Sequence, residues 1–168
     1  MPHYSLNVTA ELEGASSVTP TGSASSGGTF QWRVKFACGS CREVSSVFSV
    51  FSTEDIVPLP NGRGEANLVQ KCKFCNEAWS VDVIPTKNAA LTTDASSAVK
   101  LADFEVRGCV PVGWSAGDGW TVRGTSDEAI FEAIDFTEGD VSEYDEGSEA
   151  VVEVRKIVGC FILGKAAK

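Results

Sequence analysis

The sequence predicts an all-β fold, an antiparallel β-sandwich or barrel-like pair of sheets with little helix. Three observations carry that expectation. Apolar and polar residues alternate over short runs, which is the period of a half-buried strand. Those runs are rich in Val, Ile, Phe and Trp, side chains that pack well on a pleated surface. Clusters of Gly, Pro, Ser and Asn stand between them and break them. With 168 residues, a single domain over 1–168 is expected, and a chain of this length can bury a core of its own.

The elements follow in order. Tyr4, Leu6, Val8, Ala10 and Leu12 alternate with mostly polar neighbours. Residues 14–28 are almost all small (Gly, Ala, Ser, Thr) and read as a mobile loop with nothing to bury. Phe30, Trp32, Val34 and Phe36 form the next strand and run straight into Cys38. Val47–Phe51 is rich in β-formers. Pro58-Leu59-Pro60-Asn61-Gly62 is a turn. Trp79, Val81 and Val83 alternate again, and residues 85–98 read as a polar linker. Ala102, Phe104 and Val106 alternate with charged residues. Ala129–Phe136 fits strand or helix by pattern, and its β-branched and aromatic content selects strand. Ala150–Leu163 is the densest apolar run, and Lys165–Lys168 is a frayed tail.

Two Cys-x-x-Cys pairs carry the chemistry. They are Cys38-Gly39-Ser40-Cys41 and Cys72-Lys73-Phe74-Cys75. A two-residue gap lets both sulfurs of a pair turn toward one point, and two pairs supply the four thiolates of a tetrahedral Zn2+ site. The residues within and after each pair make a tight turn whose amides can face the sulfurs. Gly39 suits a tight backbone, and Asn76 tolerates positive φ. The assignment is one Zn2+ per chain on Cys38, Cys41, Cys72 and Cys75. His3 is the only histidine, which excludes a finger with two histidine ligands. Cys109 and Cys160 have no partner at ligand spacing and read as buried core thiols. Phe74 and Trp79 are expected to shield the metal. Arg63, Lys71 and Lys73 stand near the second pair in sequence, where they can offset the negative charge of a four-thiolate zinc centre.

Charge and compartment narrow the function. The net charge is −9. Residues 1–75 hold six acids and six bases, whereas 127–153 hold eleven acids and no base. So acidic a stretch repels phosphate backbones, so no nucleic-acid partner is expected. It reads as a solvated face or as a patch for a basic protein partner. The longest apolar run, Ile157–Leu163, is far shorter than the ~20 residues that span a bilayer, so no membrane partner is expected. The N-terminus lacks a basic region followed by an apolar stretch. Unpaired thiols then point to a reducing compartment, the cytoplasm or also the nucleus.

A weak echo runs through the chain. At an offset of 88 residues Trp32 falls on Trp120, Val34 on Val122 and Cys72 on Cys160. Cys38, Cys41 and Cys75 meet Ser126, Ala129 and Leu163 on that register. The echo suggests two similar β-units, 1–84 and 99–164 joined by linker 85–98, of which only the first keeps the metal.

The block Gly62-Arg63-Gly64-Glu65-Ala66-Asn67-Leu68-Val69-Gln70-Lys71-Cys72-Lys73-Phe74-Cys75 resembles the signature of the eukaryotic CXXC-motif zinc-binding proteins. Trp32, Lys35, Phe36 and Cys38-Gly39-Ser40-Cys41 fit the same pattern, as do Phe104-Glu105-Val106-Arg107-Gly108 with Pro111, and Tyr144-Asp145-Glu146. The resemblance covers nearly the whole chain. The small-residue loop at 14–28 and the Ala/Ser-rich stretch at 89–98 depart from it. It implies a monomeric all-β zinc protein of the eukaryotic cytosol and implies no reaction. A closed four-cysteine site leaves no open position for water, and no catalytic histidine, nucleotide loop or carboxylate pair stands beside it. The expectation is a non-enzymatic module that contacts a protein partner. The alternative is a thiol-redox or metal-handling, metallochaperone-like protein, since soft thiolates also take Cu(I).

Overall fold

The structure is a computed structural model that describes residues 2–22, 29–60, 62–92, 98–126 and 129–164. Its regular elements are all strands: β1 (His3–Glu13), β2 (Ala15–Pro20), β3 (Trp32–Cys38), β4 (Ser49–Phe51), β5 (Val57–Pro58), β6 (Glu65–Ala66), β7 (Leu68–Lys71), β8 (Ala78–Pro85), β9 (Leu91–Thr92), β10 (Val99–Arg107), β11 (Cys109–Ser115), β12 (Trp120–Gly124), β13 (Ile130–Ile134), β14 (Val141–Asp145) and β15 (Ala150–Gly164). No helix among the described residues is long and apolar enough to cross a membrane.

The strands make curled antiparallel sheets. The largest has the order β14-β15-β1-β10-β8-β7. Two smaller sheets run β11-β3-β4 and β13-β12-β2-β9, and β5 pairs with β6 as a hairpin. Strands from both ends of the chain share the large sheet, with β1 between β15 and β10. The inward residues of the alternating runs form one core. Leu6, Val8, Val34, Val81, Phe104 and Val106 are each at or near full burial. Aromatic rings join the layers edge to face: Trp32 meets Phe104 at 5.7 Å and Phe30 at 4.8 Å, and Phe30 meets Trp120 at 5.3 Å. Such T-shaped pairs suit the ring quadrupoles.

Two connectors read as loop or linker contain strands. Residues 15–20 form β2, pairing Val18 with Val122 on one side and Leu91 on the other. Ala15 and Val18 are fully buried. The alternation is hidden by a register shift where Ala15 faces Gly124. Ser16 Oγ donates to the Gly124 carbonyl at 2.9 Å, and a Cβ on Gly124 would lie 2.7 Å from the Ala129 Cβ. Gly14, at φ 71°, turns β1 into β2, and a Cβ on it would meet the Val151 carbonyl oxygen at 2.4 Å. Residues 23–28 and 165–168, expected to be loop and tail, lie outside the described residues. The stretch 85–98 contributes β9, whose Leu91 is buried against the core; a two-residue strand is too short to show a period. Of Val47–Phe51, only Ser49–Phe51 is strand, and Val47 is exposed.

Candidate metal centre

Each Cys-x-x-Cys pair sits where a strand ends in a tight turn. At the first, the Cys38 amide donates to the Glu43 carbonyl at 2.9 Å, and the Arg42 amide to the Cys38 carbonyl at 2.9 Å. At the second, Cys72 donates to Glu77 at 2.9 Å and Asn76 to Cys72 at 3.0 Å. The two turns share one geometry, and each closes on a residue in the left-handed region, Arg42 at φ 66° and Asn76 at φ 64°. Asn76 was legible from sequence because Asn tolerates that region; Arg42 was not. Gly39 serves a different purpose from the one expected. Its amide donates to the Gly108 carbonyl at 2.8 Å, and a Cβ would lie 2.9 Å from that same oxygen. The glycine therefore lets the knuckle dock on the β10–β11 corner.

The turns bring four sulfurs together. Cys38, Cys41, Cys72 and Cys75 have Sγ atoms all within 4.8 Å of one another. The Cys38–Cys75 and Cys41–Cys72 separations are both 3.6 Å. A tetrahedron with Zn–S bonds of about 2.3 Å has edges of about 3.8 Å, so the donor set and spacing fit Zn2+. The amides are aimed for thiolates. Those of Cys41 and Ser40 face Cys38 and, against burial, bring its thiol down to about 7. Those of Cys75 and Phe74 lower Cys72 in the same way. The Glu43 amide faces Cys41, but the partial loss of hydration at its sulfur and the neighbouring thiols outweigh it and push Cys41 up to about 12. Four sulfurs this close cannot all ionise without a cation among them.

The remaining expectations divide. Cys109 is buried beside Cys38 in the β3–β11 register, and burial first, then the Cys38 charge, push its thiol up to about 12. It stays neutral and belongs to the core. Cys160 is exposed on β15, so the core reading fails for it: a long edge-ward strand presents alternate residues to water. Trp79 is buried, packs on Phe36 at 5.0 Å and lines one groove with Cys38 and Cys72. Phe74 is 72% exposed and shields nothing. Lys71 and Lys73 are exposed beside it. Sequence reasoning missed the chain face across from Phe74, where Val44, Val47 and Phe48 are also exposed. Together they line a groove of about 590 Å3 beside the cysteines.

Residues 5–161 match the family described as CXXC motif containing zinc binding protein, eukaryotic. The chain belongs to this family. Among curated relatives, the CXXC motif containing zinc binding protein of Mus musculus is 30% identical over 163 residues, covering 96% of this chain and 99% of its own. That of Xenopus laevis is 30% identical over 158 residues, covering 94% and 96%. The crystal structure of C1orf123 is 28% identical and superposes with a TM-score of 0.82 over 96% of this chain and 99% of that one. A hypothetical protein from Plasmodium falciparum shares the fold, at a TM-score of 0.78 and 18% identity over 96% of this chain and 100% of that one. The family is a zinc-binding one, which agrees with the four-cysteine cluster.

Proposed function

We propose that this chain is a non-enzymatic protein-interaction module, with one structural zinc held by Cys38, Cys41, Cys72 and Cys75. The observation that carries the reading is the apolar face on the knuckle. Phe74 stands at the tip of the second turn, exposed, opposite exposed Val44, Val47 and Phe48. A contiguous apolar groove of this kind marks a contact site, and the metal fixes the turn that presents it. The rim is mainly basic: Lys71 and Lys73 line it beside a single acid, Glu43, and Lys35 Nζ lies 4.8 Å above the Phe48 ring. The partner it fits is a protein segment with an apolar anchor between acidic flanks. Four thiolates fill a tetrahedral zinc, leaving no position for a substrate or water, which supports a non-catalytic role. The module works as a monomer in the cytoplasm, and also the nucleus, with neither nucleic acid nor membrane as partner. The acidic stretch at 127–153 keeps the chain soluble.

A second reading rests on one specific observation. Cys41 is exposed and Cys75 half-buried, so the sulfurs are open to thiol or metal exchange, as a redox or metallochaperone-like protein requires.

Quantitative affinity capture from a eukaryotic cell extract tests the first reading, with zinc-loaded wild type beside Phe74→Ser and a Lys71→Glu, Lys73→Glu variant. Burying a Phe side chain is worth about 1.5–3 kcal/mol, so proteins held by wild type should fall by roughly tenfold or more in Phe74→Ser, with zinc content unchanged. The charge-reversed variant should lose the same proteins. Capture by wild type should also weaken with salt, which screens exposed charges over about 8 Å at physiological strength. Equal capture by all three sinks the proposal. Turnover in insulin-disulfide reduction, abolished by Cys41→Ser, would favour the second reading.

A further inference from the structure

The sheet orders repeat. In the large sheet, β14-β15-β1 stands against β10-β8-β7; exchanging β1 with β10, β8 with β15 and β7 with β14 reproduces the order. The same exchange turns β11-β3-β4 into β2-β12-β13, the order found in the other small sheet. Backbone details obey it. Gly14 at φ 71° joins β1 to β2, and Gly108 at φ 80° joins β10 to β11. Cys38 pairs with Cys109 on β11, and Gly124 pairs with Ala15 on β2. The Cys38 amide donates to the Glu43 carbonyl, and the Gly124 amide to the Ala129 carbonyl at 2.7 Å. Asn76 at φ 64° closes the β7–β8 turn, and Glu149 at φ 52° closes the β14–β15 turn. These pairs put Cys38 on Gly124, Cys72 on Asp145 and Cys75 on Ser148. The uniform 88-residue offset read from the sequence is not kept by these pairs: Trp120, which pairs with Pro20, falls on Val34, which pairs with Trp114, and the second knuckle is displaced further because the β5–β6 hairpin between β4 and β7 has no counterpart between β13 and β14.

At the place so defined in the second unit stands a carboxylate. Asp145 is 6% exposed amid a run of acids that are mostly at the surface. Ser126 Oγ, from the turn after β12, donates to its Oδ2 at 2.8 Å. Ser148 Oγ donates to the same oxygen at 2.5 Å, and the Gly147 amide to Oδ1 at 3.0 Å. A buried carboxylate is tolerated only when its oxygens are so satisfied. The Ser126 bond crosses from one turn to the other, as the Cys41–Cys72 and Cys38–Cys75 approaches do in the first unit.

We infer that Asp145, with Ser126 and Ser148, is a metal-free clasp that holds the second unit's two turns together as the four cysteines hold the first unit's. Zinc and carboxylate then do the same mechanical work at two equivalent places. The consequence is a division of sensitivity. Chelators and thiol oxidants act on one clasp and leave the other closed, so a metal or redox signal loosens only the unit that carries the Phe74 face. A like charge placed at Ser148 opens the other.

Amide hydrogen exchange on the full, zinc-loaded chain tests this, because local opening of a cooperative unit is read directly as faster exchange. Chelation with EDTA should speed exchange in β3, β4, β7 and the start of β8 by about tenfold or more, and leave β12, β13 and β14 within about twofold. Asp145→Ala and Ser148→Asp should give the mirror pattern, with zinc content unchanged from wild type by elemental analysis. Ser126→Ala and Ser148→Ala each remove one donor and should give smaller increases in β12–β14; they decide the matter if Asp145→Ala does not fold. Unchanged exchange in β12–β14 in all four variants, or equal loosening of both units on chelation, overturns the inference.

Discussion

Cys72→Ser is expected to strip the chain of zinc, while Cys109→Ala keeps its full metal content. Cys72 is buried, receives the Cys75 and Phe74 amides and lies 3.6 Å from Cys41. A serine there replaces a soft thiolate with a hydroxyl that zinc does not favour. Structural zinc sites bind with about 10–16 kcal/mol in small finger peptides, so the loss decides local folding. It should loosen the strands that lead into the knuckles, β3, β7 and β8, more than the rest of the core. Cys109 lies next to the site and makes the control: its neutral thiol fills space and no more. Elemental analysis and circular dichroism on both variants check this. Zinc lost from Cys109→Ala and kept in Cys72→Ser would refute the site.

The metal-free chain should show a stability maximum in pH. Cys38, brought from 9.0 to about 7 when folded, adds stability that is complete above 9 and is lost as pH falls through about 7. Cys41, raised from 9.0 to about 12, behaves oppositely: its contribution is complete below 9 and is lost as pH climbs toward 12. Denaturant unfolding of the zinc-free protein should therefore be hardest near pH 9, where both contributions are close to complete, and easier on either side of it. A midpoint that does not change from pH 6 to 11 would contradict this. Zinc binding must displace protons from these sulfurs, so acid should release the metal.

What could be read from the sequence follows from what makes a signal local. The strands with clear alternation, around Leu6, Val34, Val81 and Phe104, lie where they were expected because each buries one face over five or more residues. The cysteine cluster was legible for the same reason, since spacing alone turns two sulfurs toward one point. Ala15–Pro20 was not legible: a register shift against Gly124 breaks its alternation, and its small residues are chosen for what they face. Leu91 gave no period in a two-residue strand. Phe74 was misjudged because sequence gives a turn but not the side on which its tip projects. Asp145 was lost among ten other acids, since burial of one carboxylate is decided by Ser126, nineteen residues away in sequence.

Trp120→Ala should be among the most destabilising single changes in the chain, and it should leave zinc in place. Trp120 is fully buried, with its ring edge to face against Phe30 at 5.3 Å, Phe136 at 5.6 Å and Trp114 at 6.3 Å. Its indole N–H donates to the Ala116 carbonyl at 2.8 Å. Truncation of a buried Trp costs about 3–5 kcal/mol from lost transfer energy and the cavity left behind. The stranded carbonyl adds about 1 kcal/mol or more. A domain is stable by only about 5–15 kcal/mol, so the variant should melt roughly 8–24 °C lower, at about 2–4 °C per kcal/mol for this size. Trp120→Phe keeps most of the ring packing and should lose less than half as much. None of these rings lines the groove beside the cysteines, so zinc per folded chain should equal wild type. Thermal unfolding with metal analysis on the same samples checks both halves of the claim. A loss below about 1 kcal/mol, the centre of the range for point substitutions in general, would mean that this aromatic cluster does not join the layers as its geometry indicates.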